Sequence, residues 1–199
     1  MKTKDLNTTD LLKSHMTQIN VNYCYEIILL LLKKEMHQRE IAKELKTSLT
    51  RVQSILNELR DNNILDYKVA GKNHIYFIKK NLVSKSFILN AENYNLGKVL
   101  RKYTFLEPIF QEIIEKCPNK MILLFGSYAK LIPKDDSDID VYIDTTERKI
   151  KEKLRNIYDD LSIQIRDFNK EDLLIKEIIK NHIIIAGGEE YYEKLGFFK

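Results

Sequence analysis

The stretch that decides the fold is Met121–Asp144, which reads MILLFGSYAKLIPKDDSDIDVYID. An apolar run, Met121–Phe125, ends at Gly126–Ser127, and a second β-rich run further on carries Asp138 and Asp140. Successive side chains of a strand point to opposite faces, so these two aspartates share one face. Two carboxylates on one face repel each other unless a cation lies between them, and oxygen ligands suit Mg²⁺. The pattern therefore predicts a divalent-metal site.

The residues between the two runs predict an anion site beside the metal. Gly126 lets the backbone approach a ligand closely, and Ser127 can start a helix whose N–H groups point at an anion. Phosphate donors next to divalent-metal ligands are what phosphoryl or nucleotidyl transfer requires.

This block resembles the signature of the polymerase-β-like nucleotidyltransferase superfamily, in particular its minimal branch. That signature is a strand, Gly-Ser, a short helix and then Ser-Asp-x-Asp on the next strand. Here it reads Gly126-Ser127-Tyr128-Ala129 and Ser137-Asp138-Ile139-Asp140, and the resemblance covers roughly residues 95–199. It implies that Gly126 and Ser127 hold the nucleotide phosphates, and that the catalytic pair Asp138 and Asp140 ligates the metal.

The chain departs from the family pattern after Ala129. The family often continues with Arg-Gly, whereas Lys130-Leu131 follows here. Lys130 keeps a cation but loses the fork of donors of arginine. We take Lys130 and Ser137 as further candidate nucleotide-binding residues, and we expect the missing glycine to alter the loop path at Leu131–Pro133.

A second departure concerns the third carboxylate that active members place on a neighbouring strand. The candidate strand, Leu161–Arg166, has no acid on its polar face, where Ser162 or Gln164 stands at the third-ligand position. Asp160 shares that face by parity but lies at the start of the strand. Three readings stay open: Asp160 substitutes by a shift, the site holds one metal, or it binds nucleotide without turnover.

Composition indicates a cytoplasmic protein. The longest aliphatic run, Ile27–Leu32, is far too short to span a bilayer, and the N-terminus lacks the apolar core of a signal peptide. Cys24 and Cys117 are isolated and lack metal-type spacing, which favours a reducing compartment and no disulfide.

The charge is unevenly distributed along the chain. Residues 1–80 hold 14 Lys and Arg against 9 Asp and Glu, whereas residues 81–199 hold 19 against 20. The basic excess therefore lies in the N-terminal part, which points to a polyanion as its partner.

The N-terminal part has the element order of a winged helix-turn-helix. We read the first twenty residues as a loose arm with a short helix at Asp10–Met16. Apolar spacing then predicts three helices followed by a hairpin. The helices are Tyr23–Lys34, Gln38–Leu45 and Leu49–Asn62, and the strands are Ile64–Ala70 and His74–Lys79.

Gln38–Leu45 resembles the positioning helix of winged-helix regulators, and the following helix would then be the recognition helix. Its outward residues and the wing tip supply the candidate contacts to double-stranded DNA. These are Lys46, Ser48, Thr50, Arg51, Ser54, Lys72 and Asn73. Winged helices also serve as docking or dimerisation modules, and that alternative stays open.

The remaining segments complete the prediction. Residues 81–94 are read as a linker, Glu92–Lys116 as one or two helices, and Thr146–Asp160 as a helix covering the sheet. Ile183–Ala186 is expected to add an edge strand. The aromatic tail is expected to pack on the domain or at a subunit contact.

We therefore expect an α+β protein with a winged helix at 1–80 and a minimal nucleotidyltransferase domain, a mixed sheet with flanking helices, at 95–199. The resemblance implies Mg²⁺- or Mn²⁺-dependent transfer of a nucleotide monophosphate from an NTP, such as ATP, to a protein or small-molecule acceptor, often within toxin–antitoxin pairs. The alternative is a transcriptional regulator whose transferase fold only binds nucleotide or forms a homodimer.

Overall fold

A computed structural model describes residues 8–71, 73–147, 149–154 and 157–198, with side chains from residue 21 onward. The chain divides into two compact units, Met1–Ala91 and Glu92–Lys199. Within the described ranges, no helix combines the length and the apolar character that crossing a membrane requires.

The first unit combines helices with a three-stranded antiparallel sheet of order β1-β3-β2. Its elements in chain order are α1 (Thr8–Lys33), β1 (Met36–His37), α2 (Gln38–Glu44), α3 (Leu49–Asp61), β2 (Leu65–Ala70) and β3 (Asn73–Ile78). The order of the second and third helices and the hairpin agrees with the expectation from spacing. The short strand β1, which pairs with β3, was not predicted.

The amphipathic stripe of α3 explains how this unit packs. Val52, Ile55, Leu56 and Leu59 recur at helical spacing and are all buried. Ser48 caps the helix, since its hydroxyl accepts a hydrogen bond from the backbone N–H of Arg51 at 3.3 Å. These residues fix which side of α3 remains exposed.

The second unit is built around a four-stranded mixed sheet of order β6-β5-β4-β7. The elements that follow β3 in chain order are α4 (Leu82–Lys102), α5 (Leu106–Lys116), β4 (Ile122–Phe125), α6 (Gly126–Ala129), β5 (Ile139–Asp144), α7 (Lys149–Leu154), β6 (Leu161–Arg166), α8 (Leu173–Lys180), β7 (Ile183–Ala186) and α9 (Gly188–Leu195). Strand β4 pairs antiparallel with β5 and β7, whereas β5 and β6 are parallel.

Burial explains the position of β4 at the centre of this sheet. All four of its residues are buried, as expected for a continuous apolar run covered on both faces. Ile139, Val141 and Ile143 of β5 pack into the same core, together with Ile109 and Ile113 of α5. The predicted strand Ile183–Ala186 is present as β7 at one edge.

Three segments differ from the sequence-based expectation. A single helix begins at Thr8, where a loose arm with a short helix was expected, and the predicted linker at 81–94 is helical from Leu82. Within the predicted helix Thr146–Asp160, the described residues form α7 at Lys149–Leu154, and residues 157–160 are not helical. The segment from Leu82 is helical despite its polar composition because Ile88 and Ala91 are buried at helical spacing.

Candidate active site

The site lies at the end of the sheet where β4 finishes and where β5 and β6 begin. In the antiparallel pair, Phe125 at the end of β4 lies opposite Asp140. Gly126 follows with φ of +71°, in the left-handed region that favours glycine. A Cβ atom at Gly126 would lie 2.1 Å from Oδ2 of Asp140. Only glycine therefore allows the turn and the carboxylate to occupy this place together.

Gly126 is also the first residue of helix α6. Ser127 therefore stands in the first turn rather than at the cap. The leading N–H groups of a helix have no acceptor within it and are free to bind an anion. Ser127 is half-buried, and its carbonyl oxygen accepts a hydrogen bond from the N–H of Ile132 at 3.1 Å. The turn is thus held by backbone contacts.

The loop after α6 follows a path that glycine would take, although Leu131 stands there. Leu131 has φ of +61°, a left-handed conformation that is costly for a residue with a Cβ. Its N–H donates to the carbonyl of Tyr128 at 3.1 Å, and its own carbonyl accepts from Lys102 Nζ at 3.0 Å. These bonds hold the leucine in this conformation, and the altered path expected at Leu131–Pro133 stays a prediction.

Asp138 and Asp140 differ in their surroundings. Asp138 is exposed just before β5, whereas Asp140 is half-buried within it. Burial raises the pKa of the Asp140 carboxyl, a hydrogen bond from Ser162 lowers it, and the charge of Asp138 raises it again. A cation between the two carboxylates would relieve both the burial cost and the repulsion. The donor set therefore fits a divalent cation such as Mg²⁺, which these two residues would hold.

The parallel pairing of β5 with β6 selects between the two third-ligand positions. Ser162 lies opposite Asp140, whereas Gln164 lies opposite Tyr142, further from the site. The side-chain oxygen of Gln164 also accepts from Arg166 at 3.5 Å. Ser162 is therefore the residue in register.

The backbone of Asp160 contacts the first residue of β5. Its backbone carbonyl accepts a hydrogen bond from the N–H of Ile139 at 2.8 Å, and this bond places it beside Asp138. Its side chain is exposed. In the described part of the chain, however, no three or more His, Cys, Asp or Glu side chains are grouped closely enough to hold a metal ion.

The other two candidate nucleotide-binding residues are engaged with protein groups. The Ser137 hydroxyl accepts from the N–H of Lys134 at 2.8 Å and so organises the loop before Asp138. Lys130 Nζ lies 3.2 Å from a carboxylate oxygen of Glu177. Both side chains of this ion pair are substantially exposed, at 38% and 51%, so exchanging Glu177 for a phosphate would cost little.

Asp144, which ends β5, is a structural carboxylate that the sequence did not reveal. Its side chain is 2% exposed and forms an ion pair with Lys194 of α9. Its Oδ1 also accepts from the N–H of Phe168 at 3.0 Å. The Lys194 side chain is 40% exposed, so solvent screens the pair, but without Lys194 the buried carboxylate would lack its counter-charge. Lys194 and Phe168 thus cover the end of β5 at Asp144, so the candidate site is confined to the beginning of the strand.

The predicted DNA-contacting residues of the first unit are not equivalent. Thr50 and Ser54 are exposed on α3, but the Ser48 hydroxyl caps the helix, and the Arg51 guanidinium lies over the Tyr23 ring at 5.3 Å. Lys46 has φ of +49° after α2, and Asn73 is exposed at the start of β3. Lys72 lies outside the described residues.

A polar cavity of about 630 Å³ beside α3 is lined by the predicted Asn73 and by residues that were not among the predicted DNA contacts. Gln53, Asn57 and Arg60 line it from α3, and Asn73 and His74 line it from β3. The i, i+4, i+7 spacing of the three α3 residues is the signal that could have identified them.

The comparisons with known proteins agree with the geometry of the second unit. Residues 110–191 match the family described as Polymerase beta, Nucleotidyltransferase. The chain is also similar to a protein of Methanocaldococcus jannaschii named "Putative protein adenylyltransferase", at 45% identity over 73 residues. The matched region is 34% of this chain and 56% of that relative, so the chain spans just over half of the relative's length. Residues 110–191 are therefore similar to a nucleotidyltransferase domain of the polymerase β type.

Proposed function

We propose that the second unit transfers a nucleotide monophosphate from an NTP, with ATP as the favoured donor, to an acceptor on a protein. The family match supports nucleotidyl transfer, and the name of the archaeal relative favours an adenylyl group and a protein acceptor. A small-molecule acceptor is the second class that the domain type allows.

One observation carries this proposal. The backbone of Gly126 approaches the Asp140 carboxylate so closely that a residue with a Cβ atom would not fit at position 126. The first-turn N–H groups of α6 and the candidate metal ligands thus converge at one point, as a nucleoside triphosphate with its cation requires.

Each residue then has a chemical task. The N–H groups of Gly126 and Ser127 bind phosphate oxygens, and Lys130 exchanges Glu177 for phosphate. Asp138 and Asp140 would hold Mg²⁺, which when bound offsets the negative charge on the phosphate oxygens. The oxygen of the acceptor hydroxyl forms a bond to the α-phosphorus and the hydroxyl proton goes to solvent. The bond between the α-phosphorus and the oxygen that bridges it to the β-phosphorus breaks, and pyrophosphate leaves.

The occupant of the third-ligand position determines how fast this reaction runs. Ser162 brings no charge, so a second cation would bind more weakly than with a carboxylate in its place. Asp160, beside Asp138, is the residue of this chain that could supply the missing charge through a change in its side-chain direction. Nucleotide binding without turnover is the outcome if neither serves.

ATP labelled at either the α- or the γ-phosphate tests the reaction. We expect Mg²⁺-dependent incorporation of the α-label into protein when the chain is mixed with an extract of its native cells, because pyrophosphate carries the γ-label away. Incorporation of the γ-label would indicate phosphoryl transfer and contradict the proposal. Binding of ATP without incorporation of either label would favour the nucleotide-sensing regulator.

We further infer that the first unit is a winged helix that binds double-stranded DNA. The exposed Thr50 and Ser54 lie on α3, and the polar cavity between α3 and the wing strand offers amide and guanidinium donors of the kind that contact bases and phosphates. The basic excess of residues 1–80 supports a polyanion partner.

Salt-dependent binding of the full chain to duplex DNA tests this second function. The double variant Lys46→Ala with Arg51→Ala should bind less tightly and lower the slope of log K against log salt by about two, since each phosphate contact contributes about 0.9. The control pair Lys151→Ala with Lys153→Ala removes the same charge from α7 of the other unit. Equal effects of both pairs, or no duplex binding at low salt, would leave a docking module as the better reading.

A further inference from the structure

Four aromatic side chains beside the site form a cluster, and the proposed function gives none of them a role. We call this cluster the aromatic platform; it consists of Tyr103, Phe105, Tyr128 and Tyr158. The Tyr128 ring lies edge-on to Tyr103 and to Phe105, with centroid distances of 5.3 and 6.0 Å. Phe105 and Tyr158 are 6.3 Å apart, and their planes differ by 30°. The four rings are thus one contiguous surface.

The platform has a partly buried base and an exposed top. Tyr103 and Tyr128 pack against the hydrophobic core of the second unit. Phe105 and Tyr158 are each 41% exposed, which is high for large apolar rings that touch each other. The planes of these two rings differ by only 30°, so their faces have similar orientations toward a flat ligand.

Sequence position and hydrogen bonds place the platform at the end of the sheet that holds the candidate site. Tyr128 directly follows Ser127 in α6. The carbonyl of Tyr158 accepts from the N–H of Leu161 at 3.2 Å, so Tyr158 lies where β6 begins. Burial raises the pKa of the Tyr128 phenol, and the nearby Asp160 carboxylate raises it further. The platform therefore borders both the first turn of α6 and the start of β6 next to Asp160.

We propose that the aromatic platform binds the base of the nucleotide donor by stacking and favours a purine, with Phe105 and Tyr158 as the contacting rings. This inference rests on the proposed function, since the phosphates at Gly126 and Ser127 would bring the base to this end of the sheet. Stacking on aromatic rings tolerates any base but strengthens with ring area, so a purine gains more than a pyrimidine. The phosphate-binding residues cannot make this distinction, because phosphates are common to all nucleotides.

Calorimetric titrations with three Mg²⁺ complexes test the platform, those of ATP, UTP and inorganic tripolyphosphate. Phe105→Ala and Tyr158→Ala should each weaken ATP binding by about 5- to 150-fold, the range of base stacking on one aromatic side chain. The loss for UTP should be smaller, and tripolyphosphate, which has no base, should bind as to the wild type. Phe105→Tyr and Tyr158→Phe keep the rings and should retain the affinity for ATP.

The other outcomes separate the inference from the proposed function. Equal losses for ATP and tripolyphosphate would show that the rings only support the fold, and an unchanged ATP affinity with impaired transfer would assign them to the acceptor. A wild type that binds tripolyphosphate as tightly as ATP would overturn the platform but leave nucleotidyl transfer standing. A wild type that binds neither complex would overturn both.

Discussion

Gly126→Ala is expected to abolish nucleotide transfer, with a loss of more than about a hundredfold, and to destabilise the chain by about 1–3 kcal/mol. Two physical effects combine at this position. The φ of +71° is unfavourable for any residue with a Cβ, and the added methyl group would lie 2.1 Å from Oδ2 of Asp140. Since atoms cannot approach so closely, the carboxylate must leave its place at the site.

The second effect can be isolated with a matched control. Gly196 has φ of +72° in the same unit, but a Cβ there would meet only Lys170 Nζ, at 3.9 Å. Gly196→Ala therefore carries the same backbone strain, about 1–2 kcal/mol, without displacing a candidate ligand. Thermal unfolding and MgATP titration of both variants check this expectation. If Gly196→Ala lost nucleotide binding to the same extent, the loss in Gly126→Ala would reflect stability alone.

The strands of the second unit could be predicted from the sequence because each has a clear pattern of apolar residues. The run Ile122–Phe125 and the alternation in Leu161–Arg166 both mark strands observed at those residues. Parity also placed Asp138 and Asp140 on one face. It could not choose between Ser162 and Gln164, because the register of β5 on β6 depends on the chain between them and on tertiary packing.

The role of Asp144 could not be predicted, for a related reason. Parity assigns it to the face of Asp140, but does not reveal what covers that face. Lys194, which pairs with it, lies 50 residues away in α9. A strand residue's environment is set by such distant elements, so a carboxylate at a strand end can be either solvated or buried.

The helix over 81–94 was missed because its composition is polar. Asn81 nonetheless carries a helix-start signal, since its side-chain oxygen accepts from the N–H of Ser84 at 2.8 Å. Ile88, Ala91 and Val99 are fully buried at helical spacing. Three well-spaced apolar residues were therefore enough to fix a helix that its many polar residues had concealed.

The central claim is that Asp138 and Asp140 hold the cation of a bound nucleoside triphosphate, and substitution of Asp138 probes it without disturbing the core. Asp138 is exposed and precedes β5, so Asp138→Asn should leave the stability of the chain unchanged. Asp136→Asn is the matched control, because Asp136 is an exposed aspartate two residues earlier, outside the strand. Asp144 is unsuitable as a control because its substitution would disrupt the buried ion pair with Lys194.

Calorimetric titration of ATP into the wild type and these two variants, with and without Mg²⁺, is the most direct measurement. With Mg²⁺, Asp138→Asn should bind ATP more than about tenfold less tightly than the wild type, whereas Asp136→Asn should match it. Without Mg²⁺, Asp138→Asn should bind ATP more tightly than the wild type, because the variant lacks one negative charge that repels the phosphates. Equal Mg²⁺-dependent affinities in all three proteins would contradict the account.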